Sequence, residues 1–149
     1  MDIETHVSEF YAKAKGYIFL FPLLLTVSDR SESIVLTITE DEQYYFRQVA
    51  CASDSAAQIK IFSGDPKTFS NEIMKLKEFS DEHYIKAINA GLKAGRTKDK
   101  AKQFIHSQTD NSFKAYTKFI AENGFEKFHK SAISSLYAIC RAGEESEHK

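Results

Sequence analysis

Tryptophan is absent from these 149 residues, and proline (two), cysteine (two), methionine (two) and glycine (six) are scarce. So little Gly and Pro leaves no room for a low-complexity linker, and no internal repeat is visible. Two cysteines, Cys51 and Cys140, permit at most one disulfide. A chain of this length can bury about two-thirds of its unfolded surface and needs no covalent staple. The expectation is therefore two reduced, packed thiols in a cytoplasmic protein. No apolar run reaches the roughly 20 residues of a membrane-spanning helix. The longest uncharged run, YIFLFPLLLTV from Tyr17 to Val27, is interrupted by Pro22 and flanked by Lys13, Lys15, Asp29 and Arg30. Ahead of it stand Asp2, Glu4 and Glu9, which argues against a secretory leader.

Motifs that carry chemistry are missing too. There is no Gly-rich phosphate loop, nucleophile elbow or HExxH zinc helix. The histidines, His6, His83, His106, His129 and His148, lie far apart, with no Cys or His at ligand spacing, so neither a metal nor a cofactor is expected. His83 and His129 read as surface or capping residues. Cys140 falls near a helix C-terminus, where the dipole opposes thiolate formation. Glu40-Asp41-Glu42 reads as a solvated turn. Catalysis is not expected, although a site assembled from distant residues would leave no motif.

What is present is an ordinary globular composition, 42% hydrophobic and 28% charged, with twelve Phe and seven Tyr for an aromatic core. One domain over residues 1–143 is expected, with 144–149 as a frayed acidic tail. Ile3, Val7, Phe10 and Ala14 make an amphipathic stripe closed by Gly16. The apolar run then reads as a buried strand bent at Pro22. Ser33–Thr39, Gln43–Ala52 and Gln58–Ser63 read as three further strands, joined by turns at 28–33, 40–42 and 53–55. Such short connections predict an antiparallel β-meander. From Asp65-Pro66 the period becomes helical, with caps at Asp65, Ser80, Thr97 and Asp110 and stops at Gly95, Gly124 and Gly143. Tyr84, Ile85, Ile88 and Leu92 are assigned to one core stripe. The predicted fold is α+β: an N-terminal helix, about four strands, then about five helices packed on one face of the sheet.

Charge is unevenly spread. Residues 1–66 hold five Lys/Arg against ten Asp/Glu, and residues 67–142 hold fourteen against eight. Within the basic half, Lys86 to Lys102 contains Lys86, Lys93, Arg96, Lys98, Lys100 and Lys102 opposed only by Asp99. A helix C-terminus explains Lys93 and Arg96; Lys98, Lys100 and Lys102 stand at the wrong end of the next helix. Lys93, Arg96, Lys98, Lys100 and Lys102 are thus the candidate surface for a protein partner or a polyanion. Phe113 to Lys130 interleaves lysines with aromatics, but at helical spacing, which puts the aromatics in the core. Tyr44, Tyr45 and Arg47 are a second candidate interface, since a strand would turn at least one of these aromatics outward. The expected function is non-catalytic: a small cytoplasmic binding protein acting through protein–protein contact, as an inhibitor, adaptor or neutraliser. Nucleic-acid binding through Lys86–Lys102 is the alternative.

Overall fold

The computed structural model of this chain describes residues 38–147. Thr39 opens the first helix, α1 (Glu40–Phe62), with a capping box: its Oγ1 accepts from the Glu42 amide, while the Glu42 carboxylate accepts from the Thr39 amide. Three acidic residues fill that first turn, where the helix dipole favours them. Three more helices follow, α2 (Ser70–Lys93), α3 (Lys98–Asn123) and α4 (Phe125–Glu147). α1 touches all three others and packs most extensively on α2.

This overturns the expected α+β architecture. Among the described residues there is no strand; Gln43–Ala52 and Gln58–Ser63 belong to one continuous helix, and no sheet exists there for other helices to cover. Tyr44-Tyr45-Phe46-Arg47 suits a pleated surface by propensity, but packing decides: α1 buries Tyr45, Phe46, Val49, Ala50, Ala52 and Ala57 against α2 and α3. The supposed turn Ser53-Asp54-Ser55 lies mid-helix. Ser53 and Ser55 return their hydroxyls to the carbonyls of Ala50, Cys51 and Ala52, so the helix satisfies groups that otherwise favour turns. Glu40-Asp41-Glu42 is likewise a first helical turn. The expected strand over Tyr17–Val27, the N-terminal helix over 3–14 and most of the strand Ser33–Thr39 lie outside the described residues.

The later signals are mixed. Thr97 caps α3 by accepting from the Lys100 amide, as read from the sequence. Gly95 (φ 86°) and Gly124 (φ 90°) supply the left-handed turns after α2 and α3. At the first, Arg96 N–H bonds the Gly91 carbonyl at 2.8 Å and Gly95 N–H bonds that of Leu92 at 3.1 Å, a Schellman closure. Ser80 and Asp110 are not caps. α2 runs through Ser80, whose hydroxyl donates to the Ala52 carbonyl, and α3 runs through Asp110, which pairs with Lys60 at 3.2 Å. Three long helices therefore replace the expected five.

Two apolar clusters hold the bundle. Tyr45, Phe46, Val49, Ala87, Ile88, Ala101, Phe104 and Ile105 join α1, α2 and α3. Gly91 lets α2 approach closely there: a Cβ would lie 3.0 Å from the Tyr45 ring and 3.1 Å from the Ala101 Cβ. Phe62, Leu76, Phe128, Ala132 and Leu136 join α1, α2 and α4 in the second cluster. Within it Cys51 and Cys140 form a disulfide, correcting the expectation of two thiols. Their sequence separation of 89 gave no hint that α1 and α4 lie side by side there.

Candidate functional site

Along α2, Leu76, His83, Ala87, Ala90 and Gly91 turn inward. The opposite face carries three large apolar side chains left in the open: Met74 at 57%, Ile85 at 61% and Leu92 at 49% exposure. At about 100° per residue these three fall within about 20° of one line down the helix, a line about 27 Å long. Ile85 and Leu92 were expected in the core with Tyr84 and Ile88. The structure buries Ile88, half-buries Tyr84 and leaves the other two outside, because the four span about 100° of the helix and only the edge with Tyr84 and Ile88 turns toward the bundle.

Beside this line, α2 and the start of α1 enclose an open cleft of about 470 Å³ lined by Asp41, Tyr44, Lys86, Asn89, Ala90 and Lys93. Lys86 and Lys93 follow directly after Ile85 and Leu92, so the apolar line forms one rim of a charged cleft. Lys93 pairs with Asp41 at 3.3 Å, with both side chains largely exposed, so the pair adds little stability. Lys86 reaches Glu82 and, from α4, Glu144, each at 2.7 Å. Partial burial alone would lower the Lys86 pKa, but the bonds to Glu144 and Glu82 outweigh it and hold the ammonium well above its ordinary value. The bond from Lys86 in turn lowers the pKa of Glu82.

His83 lies under this network. It is buried rather than on the surface, and its Nδ1 donates to Oε1 of Gln48 on α1 at 2.6 Å. Burial lowers its pKa, and the neighbouring Lys86 charge lowers it further, so the ring is neutral at physiological pH. The ligand-type atoms of Glu82, His83 and Glu144 come within 4.8 Å of one another. Lys86 already supplies a positive charge to both carboxylates, so the arrangement is an ion network tying α4 to α2. The Glu82–Lys86 spacing was visible in the sequence as an i,i+4 pair; Glu144 and Gln48 carried no sequence signal.

The basic residues expected to act together are divided. Lys93 lines the cleft. Arg96 lays its guanidinium over the rings of Tyr45 at 4.3 Å and Phe46 at 5.2 Å, capping the first cluster. Lys98 and Lys100 are exposed in the first turn of α3, and Lys102 is half-buried. Of the second candidate surface, Tyr44 borders the cleft, Arg47 is half-buried, and Tyr45 is fully buried, which removes it as a contact residue. His129 packs against Phe62, Phe69 and Phe125 and meets Glu72 at 3.3 Å.

A second polar centre lies between α1, α3 and α4. The Tyr116 hydroxyl donates to Oδ1 of Asp54 at 2.5 Å, and the Gln58 amide donates to the Ala132 carbonyl at 3.1 Å. Burial, then the Asp54 charge, raises the Tyr116 pKa well above its usual value and keeps the hydroxyl a donor. A smaller hollow of about 200 Å³ opens over Asp54 and Tyr116, walled by Phe119, Phe128, Leu136 and Ile139. Among the described residues no helix is long and apolar enough to cross a membrane. No protein-family model, curated protein or solved structure matches this chain.

Proposed function

We propose that this chain is a non-catalytic helical binding module that docks another polypeptide on the outer face of α2. The observation that carries the reading is the line Met74–Ile85–Leu92. Single exposed apolar residues are ordinary on protein surfaces, but three large ones here fall along one helix face, with the exposed Asp81 on the same line between Met74 and Ile85. Glu78, Lys86 and Lys93 stand beside the line and give it the polar rim usual at interfaces. Tyr44 and Lys93, singled out from the sequence, extend the surface into the cleft. The nucleic-acid alternative now rests on Lys98, Lys100 and Lys102 alone, with Arg96 committed to the core, and is the weaker reading.

A photo-crosslinking residue placed at position 85 tests the docking face in the native host. The expected result is a covalent adduct with a polypeptide, lost when Leu92→Asp is added. A chain that forms no intermolecular adduct would overturn the proposal. A cytoplasmic location stays part of the expectation only if thiol trapping at lysis finds Cys51 and Cys140 reduced, because a disulfide is rare in that compartment.

A further inference from the structure

We infer that the hollow over Asp54 and Tyr116 is a binding site for a small organic ammonium ion carrying an apolar body. Its described walls come from α1, α3 and α4, so the site is separate from the docking face of α2 and is tested independently of it. Among the described residues that line the hollow, Asp54 alone is charged, and it is only 7% exposed. A carboxylate at that depth is costly to keep ionised unless hydrogen-bond donors or cations surround it. The Tyr116 hydroxyl donates to Oδ1 at 2.5 Å, and Gln58 Nε2 lies 3.4 Å from Oδ2. Both donors are neutral, so they fix the carboxylate in position and do not cancel its charge.

The polar wall offers acceptors. Tyr116 spends its one proton on Asp54, which leaves the lone pairs of its oxygen for anything else. Ser131 spends its proton on the Lys127 carbonyl and is in the same condition at the exposed rim. Gln58 registers the same excess. Its amide nitrogen lies within hydrogen-bond reach of Asp54, the Tyr116 oxygen and the Ala132 carbonyl, while its buried oxygen has no hydrogen-bond partner. A group that brings several N–H donors and a positive charge answers this wall, and an ammonium is that group. The other walls, Phe119, Phe128, Leu136 and Ile139, take an apolar body, and aromatic rings tolerate a nearby cation. Size narrows the class further. An apolar cavity of about 150 Å³ holds benzene, so this hollow of about 200 Å³ fits one ring with a short aminoalkyl chain.

Calorimetric titration of the full-length, disulfide-intact protein with phenethylammonium chloride tests the site. 2-Phenylethanol and phenylacetate serve as the neutral and anionic probes of the same shape. Saturable binding of the ammonium probe is expected, with the alcohol weaker by roughly 10-fold or more and phenylacetate unbound. D54N should bring the ammonium probe down to the level of the alcohol. Because D54N also alters a buried network, S135F supplies a second variant: it sets a ring over the hollow from an exposed rim position, leaves Asp54 in place, and should abolish binding of both probes. Failure of the ammonium probe to saturate in the millimolar range, equal affinity for the alcohol, or unchanged binding in S135F would each overturn the inference.

Discussion

His83 and Gly91 show how single positions on the inner face of α2 set the stability of the bundle. The buried imidazole is held neutral in the folded state, and its pKa is depressed below the ordinary 6.5 of the free side chain. The unfolded chain therefore binds a proton at a pH where the folded chain does not. Stability should fall as pH drops below about 6.5 and level off once the folded-state pKa is passed. Glu82, also depressed, adds a loss at more acidic pH. H83Q keeps an amide beside Gln48 but cannot titrate. Melting temperature measured across mildly acidic pH should slope in the wild type and be flatter over the histidine range in H83Q. Gly91 is a matter of space. G91A drives a methyl against the buried Tyr45 ring and Ala101, and overpacking of this kind costs about 1–3 kcal/mol. The urea midpoint should fall with the denaturant slope unchanged.

α4 is the element whose attachment depends most on a few bonds. Gln58 to the Ala132 carbonyl, Lys86 to Glu144, His129 to Glu72 and the Cys51–Cys140 bridge hold it beside its apolar cluster. Replacing both cysteines by alanine opens a loop of nearly ninety residues, and the chain-entropy account puts the loss at about 4–5 kcal/mol. Hydrogen exchange should then rise first over residues 125–147, with α1 and α2 protected longest. Much of α2, α3 and α4 was legible in the sequence, since Thr97, Gly95 and Gly124 are stop and start signals with a local cause. α1 was not. Its Tyr-Tyr-Phe start favours a strand by propensity and its two serines favour a turn; the Thr39–Glu42 capping box was a local helix signal that went unread, and packing on α2 and α3 supplies the rest. The inner face of α2 escaped notice because Ala87, Ala90 and Gly91 are small, whereas the larger Ile85 and Leu92 drew the core assignment to the wrong side. The disulfide and the Gln48–His83 bond join distant residues, and no local pattern announces such pairs.

Among the described residues, the charge division read from the sequence does not separate two layers. It separates the acidic start of α1 from lysines spread over α2, α3 and α4, and part of it meets across the cleft as Asp41 and Lys93. The docking face is exposed, so changing it should leave the fold untouched. I85D and L92D should each stay within about 0.5 kcal/mol of the wild type in urea unfolding, and L92D should lose the adduct formed from position 85. Loss of both together would place these residues in the core after all. One connection has a mechanical meaning for the assembled bundle. A single residue, Gly124, joins α3 to α4, and Cys140 anchors α4 about 24 Å further along its length. With both fastenings in place α4 is a bar bolted at two points, able to flex but not to swing. Cut the sulfur fastening, and the same bar becomes a door hung on one glycine and held shut only by noncovalent latches such as Lys86 to Glu144 and His129 to Glu72, with Asp54 and Tyr116 in the frame behind it.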